Sequence, residues 1–516
     1  MSRQPSSPDD SRPGWRDPVV VAAACAAVTQ LVIVWVPAFP LGVPGEWTWQ
    51  RITYGSGQLA SVFLDLFIAI PAALAYLWYC RAGERRLAVS SHGRRRLWLA
   101  GLAASGFAWL WVVQESAPNE IHRLGRAPVV HYFPSFSGYF TEARNADDFG
   151  SYLATYDTLM AKGDVLHIGT HPPGLTTVHW GLLRLYESSP ALTGLTLATR
   201  PHSVRETEVM LSMTPQTEGE SSTRAELAEL WAVSLLAQFA AAAAVVPLFH
   251  LGERSAGPVA AWRAATFWPL IPALAVFLPK SDAVFPLFGL GVLALWCRPG
   301  PPSVMRAAFA GLVFWLGMTF SLAMLPVAAL TGLLSAQAVI NSDRSDRRHV
   351  VVRTIASASV AVIVFLSMTA AVWLFFELNL IKIWSWNYHN HAGFYDVYDR
   401  TYWKWLIVGP CELAIAIGAP AAVAAITAVR RCSWSTPAFA ALCVIALLWL
   451  SGKNAGESAR LWLFLMPWLL WMTVSLWKED AGQHRWRIVL PLQLVVSFLT
   501  VIRIDGFGFD EFLRMG

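Results

Sequence analysis

The sequence predicts an all-α polytopic membrane protein with about thirteen transmembrane helices, and three observations carry that expectation. Charged residues are only 14% of the 516 and apolar ones are 55%, against roughly 25% charged in soluble domains, so the chain has too little polar surface for a water-soluble fold. The apolar residues fall in runs near the ~20 that cross a bilayer as helix. The loops between the runs are of two kinds: some are short and rich in arginine, others carry acids, histidines and aromatics. A net charge of +5 is too small to mark a nucleic-acid partner. The 26 tryptophans suit membrane interfaces or sugar-stacking surfaces equally, since indole joins an apolar body to one N–H donor.

Residues 1–17 are polar and Pro/Ser-rich, expected as a disordered cytoplasmic tail, and no cleavage signal precedes the first apolar run. Runs at 18–38, 57–79 and 97–114 form N-terminal transmembrane helices over 18–114. A large extracytoplasmic loop with juxtamembrane helices is expected over 115–225. The transmembrane domain 226–516 then has runs at 226–250, 258–277, 283–297, 352–376, 404–428, 435–450, 460–476 and 487–503. The run 306–338 is too long for one span and reads as a hairpin turning at Thr319–Ser321. Outer loops are expected at 279–282, 377–403 and 451–459, besides 39–56 and the tail from 504. The six cysteines, Cys25, Cys80, Cys297, Cys411, Cys432 and Cys443, show no pairing pattern and no thiolate metal spacing.

Orientation follows from the basic loops, which stay cytoplasmic. Arg81, Arg85, Arg86, Arg94, Arg95 and Arg96 fix one inside loop, and Arg254 with Arg263, Arg298 with Arg306, Arg344 to Arg353, Arg430 with Arg431, and Lys478 to Arg487 fall on the same side. This requires the apolar segment after His171, PPGLTTVHWGLLRLY, to lie on the outer surface as an amphipathic helix. If it crossed, every later basic loop would face out. The expected location is a cell inner or plasma membrane, multi-pass, with the functional face outside.

The polar motifs gather on that outer side. The long loop contains Tyr139-Phe140-Thr141-Glu142-Ala143, then Lys162-Gly163-Asp164, then Thr170-His171-Pro172-Pro173-Gly174 and an aromatic amphipathic stretch. This order resembles the first outer loop of the GT-C membrane glycosyltransferases, the superfamily of protein O-mannosyltransferases and lipid A aminoarabinose transferases. The resemblance continues through Gly252-Glu253-Arg254 and an outer Lys280-Ser281-Asp282, covers about 130–300 well, and elsewhere extends only to general layout. It implies a GT-C-like fold and transfer of a sugar from a polyprenyl-phosphate donor to a cell-envelope glycan, lipid or protein acceptor. The chain departs from the family pattern in one place. An aspartate usually stands just ahead of the tyrosine, and here the residues are Pro134-Ser135-Phe136-Ser137-Gly138.

Such a transfer needs a carboxylate to take or orient the acceptor proton and cations to hold the phosphate leaving group. The catalytic candidates are Glu142 and Asp282, with Asp147 or Asp148 as alternative bases. Lys280, Arg400, Lys453 and Arg460 are the candidate phosphate cations. Glu142 could instead be a solvated acid paired with Arg144. An idle Asp282 beside hydrocarbon would be costly to keep. His171 either closes the rigid corner made by Pro172 and Pro173 or bonds a sugar or phosphate, and Tyr139 is placed with it as substrate-binding. Glu457 and Arg460, three apart at a helix start, form a local ion pair or free Arg460 for a lipid phosphate. His389-Asn390-His391, with Asp396 and Asp399, could bind sugar or a divalent cation; the metal set is otherwise unknown. Trp403 and Trp405 read as an interfacial belt. A transporter or flippase of lipid-linked sugars is the alternative function, against which stand the lack of internal repeats and the near absence of charge in the spans, Glu412 being the main exception. The segment 187–225 carries no functional signal.

Overall fold

The computed structural model of the chain describes residues 16–55, 58–212, 222–297, 302–433 and 435–509, with side chains from residue 66 onward in the second of these ranges. Residues 1–15 of the expected tail, Arg298, Glu218 and Glu220 lie outside the described residues. Helix dominates, and the strands are four two-residue pieces in two small antiparallel pairs. One of these, Gln50–Arg51 with Ile504–Asp505, ties the 39–56 loop to the segment from 504.

Among the described residues, six helices are long and apolar enough to cross a membrane: Pro18–Trp35, Leu66–Leu87, His92–Glu115, Arg224–Ala256, Leu322–Ile340 and Arg347–Phe376. A seventh span results if Tyr402–Ile417 and Ala419–Val429, bent by 115° at Gly418, count as one. The remaining apolar runs form shorter helices. Local chemistry sets many of the starts. Asp17 accepts the Val19 N–H ahead of Pro18, Thr223 and Glu226 close a reciprocal capping box, and Ser303 caps Val304–Phe320. The run 306–338 does turn where expected, at Ser321, between Val304–Phe320 and Leu325–Ile340.

The run 258–277 is not one helix. It is Pro258–Ala265, a 3-10 turn at Trp268–Leu270 and Pro272–Phe277, followed by a further turn at Ser281–Ala283 and the helix Phe285–Trp296. Prolines at 258, 269, 272, 279 and 286 cause this, since each removes an N–H and blocks the preceding turn. An irregular path is tolerated at membrane depth only inside protein, and residues 260–280 are buried throughout. Neighbouring side chains satisfy the freed carbonyls. Tyr76 Oη donates to Thr266 O at 2.7 Å, Trp486 Nε1 to Arg263 O at 3.1 Å, and Gln493 Nε2 to Leu270 O at 2.9 Å. Arg126 donates to Ala275 O at 2.8 Å and Val276 O at 3.0 Å.

The two kinds of loop occupy opposite ends of the bundle. At one end Arg95 pairs with Glu253 at 2.9 Å, Arg263 with Glu84 at 2.7 Å, and Arg485 with Asp17 at 2.7 Å. At the other end of the 24-residue helix His92–Glu115, ~36 Å away, Glu115 receives the Ser203 hydroxyl and the Leu124 N–H. The segment after His171 is the 15-residue helix Gly174–Ser188, ~22 Å long and short of the ~30 Å hydrocarbon core. It starts against the 316–322 turn so closely that a Cβ at Gly174 would sit 2.3 Å from Thr319 O. The 187–225 segment contributes helices Pro190–Ala198 and His202–Ser212, packed under Arg224–Ala243.

The expected loop 377–403 is largely a helix, Leu380–Val397, capped by Asn379. Its buried face is Leu380, Ile383, Asn387 and Asn390, a helical spacing that two asparagines hide from an apolar-pattern reading. Both are buried because they have partners: Asn387 and Asn390 each donate to Gly169 O at 3.0 Å, and Asn390 also to Met160 O at 2.9 Å.

The two-ended arrangement predicts a labelling pattern. In a cysteine-free background, single cysteines at exposed Ser151 and Ala392 should react with an impermeant thiol reagent in intact cells, and one at exposed Ser91 only after lysis. The reverse pattern would invert the orientation read from the basic loops.

Candidate functional site

The site is built on the segment that the prolines break. The chain leaves Pro272–Phe277 through Leu278 and Pro279 and presents Lys280 and Asp282, both buried, at the loop-rich end of the bundle. Opposite them the 451–460 loop enters the short helix Ser458–Leu461, which carries Glu457 and Arg460 at its start. Arg460 Nη2 donates to Glu457 Oε2 at 2.5 Å, the local ion pair, while its buried Nε has no partner. Lys280 and Arg460 come close enough that each senses the other's surroundings. Burial, followed by the Arg460 charge, pushes the Lys280 ammonium down to about 7, against the opposing pull of Asp282 and Glu457. Burial pushes the Arg460 guanidinium down, and Glu457, Asp282 and Tyr139 more than reverse that.

Tyr139 and His171 stand beside Asp282. Their rings are 5.7 Å apart, edge to face. Burial, then the Asp282 charge, raises the Tyr139 phenol well above its ordinary value. His171 closes the corner as expected from its prolines: Nδ1 lies 3.0 Å from both Thr170 Oγ1 and His167 O. Burial lowers it to about 4 with Asp282 opposing, so the imidazole is neutral at physiological pH. His167, four residues before His171, has Nε2 at 3.0 Å from Ser135 O. Burial and the charges of Lys280 and Arg460 keep it neutral as well.

Glu142 lies on the helix Tyr139–Asn145, which begins after Gly138 at φ +80. It faces a cavity of about 220 Å³ walled also by Pro134, Gly138, Thr141, Asp164, Leu166, His167 and Ile168. Arg144 turns away to Glu226 at 2.8 Å, so the pairing that would have made Glu142 an ordinary surface acid is absent among the described residues. Burial raises the Glu142 carboxyl against the pull of Lys162. Asp164 is committed to structure, accepting the N–H groups of Leu166, His167 and Gly169. Asp148 is the exposed N-cap of Phe149–Ala154, bonded to Gly150 N and the Ser151 hydroxyl, and Asp147 is exposed. Among the described residues, Glu142 and Asp282 have no hydrogen-bond or ion-pair partner. Asp282 does not wall the 220 Å³ cavity; His167 walls it and also feels the charges of Lys280 and Arg460, while His171 feels those of Asp282 and Lys280.

The other expected residues sit at the rim or outside. Arg400 does not join Lys280. Its Nη1 donates to Asp399 O at 2.8 Å and Glu46 O at 3.2 Å, and its guanidinium lies over the rings of Trp47 and Phe394. It does abut the 451–460 loop, where a Cβ on Gly456 would fall 2.4 Å from its Nε. Lys453 lies over the Tyr388 ring at 5.1 Å. His391 is partly buried, lowered first by burial and then by Lys453, and touches Glu457 through its charge. His389 is exposed against Trp386. Two residues apart on a helix, the two histidines point ~200° apart, so they cannot share a metal; among the described residues no three His, Cys, Asp or Glu side chains are placed to hold one. Trp403 is exposed as an interfacial residue should be, but Trp405 is buried and donates to Glu46 Oε2 at 2.8 Å.

Sequence reasoning passed over Glu46, which gathers Lys404, Thr401 and Trp405; those bonds outweigh burial and bring its carboxyl to about 2. It also passed over the buried pair His179–Glu229, at 2.7 Å. Thr401, Lys404 and Trp405 share a helical spacing, but no spacing in the sequence joins them to Glu46 or His179 to Glu229. No protein-family model and no curated protein matches the chain.

The buried lysine has a measurable consequence. An ordinary lysine keeps its proton to about 10.5, Lys280 only to about 7. Between these values the unfolded chain binds the extra proton, so this group makes stability rise with pH, and below about 7 the full cost of burying the cation is present. Lys280→Met should therefore raise the melting temperature in detergent more at pH 6 than at pH 9. Equal shifts at the two pH values would place the Lys280 ammonium in water.

Proposed function

We propose that this protein is a GT-C-type membrane glycosyltransferase that moves a sugar from a polyprenyl-phosphate donor, delivered from the membrane, to a glycan, lipid or protein acceptor of the cell envelope. The observation that carries this reading is the pair of cations, Lys280 and Arg460, held in one buried neighbourhood with the uncommitted carboxylate of Asp282. Two cations at the outer end of an apolar bundle suit a phosphate leaving group at headgroup depth, and the unpartnered Nε of Arg460 leaves a donor for it. The cavity beside them brings an acceptor hydroxyl to Glu142, whose raised carboxyl pKa suits proton transfer nearer neutral pH. In this reading Glu142 takes the acceptor proton, the acceptor oxygen forms the new glycosidic bond, the bond from sugar to phosphate breaks, and Lys280 and Arg460 receive the lipid phosphate. Asp282 orients Lys280, and neutral His171 with Tyr139 lines the path between the acids. The chain crosses an inner or plasma membrane about thirteen times, the shorter and broken helices included, with this end outward.

A second reading, transport of a lipid-linked sugar, has one observation in its favour: the span bent at Gly418 with Glu412 buried just before the bend, as in transporters with discontinuous helices.

Sugar transfer in isolated membranes tests both. Glu142→Gln should lower the rate about 100- to 10,000-fold, as loss of a general base does. Arg460→Ala should weaken donor use by about one to two orders of magnitude, the worth of a charge-assisted bond to phosphate. Near-normal transfer by Glu142→Gln at unchanged protein level would remove Glu142 as the base. Donor crossing vesicle bilayers with no transfer by the wild-type protein would favour transport.

A further inference from the structure

We infer that Glu412 is a positioning residue of this site, fixing the turn that carries Glu457 and Arg460; the inference rests on the donor-phosphate reading above. Glu412 lies within the apolar helix Tyr402–Ile417 and is buried, a place where an acid is costly unless it does something. Its Oε1 accepts the Ala459 N–H at 3.1 Å and the Trp49 Nε1–H at 2.7 Å. The need for that acceptor is evident in the turn itself. Ser458–Leu461 is only four residues long, too short to hold itself, and its first N–H groups have no intrahelical partner. Glu457, the residue that would ordinarily cap it, makes no side-chain cap bond, because its carboxylate is spent on Arg460. The loop leading in adopts positive φ at Gly452, Asn454 and Gly456, so it contributes little stiffness of its own. Glu412 therefore supplies from another helix the acceptor that the turn lacks.

The helix bearing Glu412 is itself held at both ends. Glu46 receives Thr401 N, Lys404 and Trp405 at its start. At its end the bend at Gly418 is clamped by two glutamines: Gln493 donates to Ile417 O and accepts from Ala421 N, while Gln30 donates to Ile415 O and accepts from Ala419 N. Gly409, one turn before Glu412, faces Ser458, whose Oγ would be at ordinary contact distance, 3.6 Å, from an added Cβ. A shift of Glu412 would thus move Arg460 relative to Lys280 while leaving the acceptor cavity at Glu142 untouched.

Steady-state transfer by the purified full-length protein tests this, with Arg460→Ala as reference. Glu412→Gln, whose amide oxygen still accepts both N–H groups, should keep the donor KM within about threefold, and Glu412→Ala should raise it about tenfold or more, with the acceptor KM unchanged in both. If Glu412→Ala does not accumulate, Trp49→Phe takes its place; losing one of the two bonds to Oε1 should raise the donor KM at least about threefold. A donor KM that rises in Arg460→Ala but not in the folded Glu412 and Trp49 variants, even with a lower melting temperature, overturns this inference alone. A donor KM unchanged in Arg460→Ala overturns the donor-phosphate reading and this inference with it.

Discussion

Backbone that leaves the helical path inside an apolar bundle must find a donor for each carbonyl it frees, and this constraint organises the protein. The segment from Pro258 to Phe285 crosses the core in pieces, and Tyr76, Arg126, Trp486 and Gln493, from three separate helices, converge on its carbonyls. An unmet buried carbonyl costs about 1–3 kcal/mol, so these side chains and the irregular segment require one another. The result is a rigid rod with a controlled exit, which delivers Lys280 and Asp282 to the loop-rich end in a fixed orientation. A regular helix over the same residues would have bonded its own carbonyls and left Arg126 with Gln114 Oε1 as its remaining acceptor.

The same logic governs charge. Lys280 and Arg460 repel, and burial makes that repulsion stronger because little water screens it. They remain together because Asp282 and Glu457 oppose them, and because each is fixed by backbone that other residues hold. In the interior a cation is tolerated when it is paired or when something that binds it completes the pairing. Among the described residues Arg460 has one carboxylate partner and a buried Nε without one, so a donor remains for an anionic ligand. By contrast, Arg263 at the other end of the bundle is fully used: it bonds Glu84 and the carbonyls of Trp477 and Glu479.

How much of this was legible in the sequence depended on whether an interaction was local. The helical membrane class, the turn at Ser321, the amphipathic Gly174–Ser188 helix and the His171 corner all follow from composition or from residues a few positions apart. The Lys280–Asp282 turn and the Glu457–Arg460 pair were legible as pieces, and Lys280 and Arg460 were grouped by the chemistry of a phosphate site and not by any spacing. The apolar run 258–277 misled because its many apolar residues outweigh three isolated prolines, at 258, 269 and 272, and hydropathy does not register the N–H groups those prolines lack. The helix Leu380–Val397 was hidden because its buried face is half asparagine, and asparagine is buried only when a distant carbonyl, here Gly169 O, receives its N–H. Arg400 went to Glu46 and the Trp47 ring, a choice decided by the 39–56 loop about 350 residues earlier, which no spacing rule reaches.

The acids around the site divide by what their oxygens already do. Asp164 spends its carboxylate on three N–H groups, Asp148 caps a helix, Glu46 gathers four donors, Glu457 holds Arg460, and Glu412 holds the turn behind it. A carboxylate so committed cannot take a proton in a reaction without releasing the structure it holds. Glu142 and Asp282 have no such duty among the described residues, and they differ in surroundings: Glu142 borders open space, while Asp282 lies between two cations, a tyrosine and a neutral histidine. Open space admits a hydroxyl to be deprotonated, and a carboxylate placed between two cations offsets their charge. Under the proposed transfer, base and orienting acid are therefore told apart by which oxygens are free and what stands next to them.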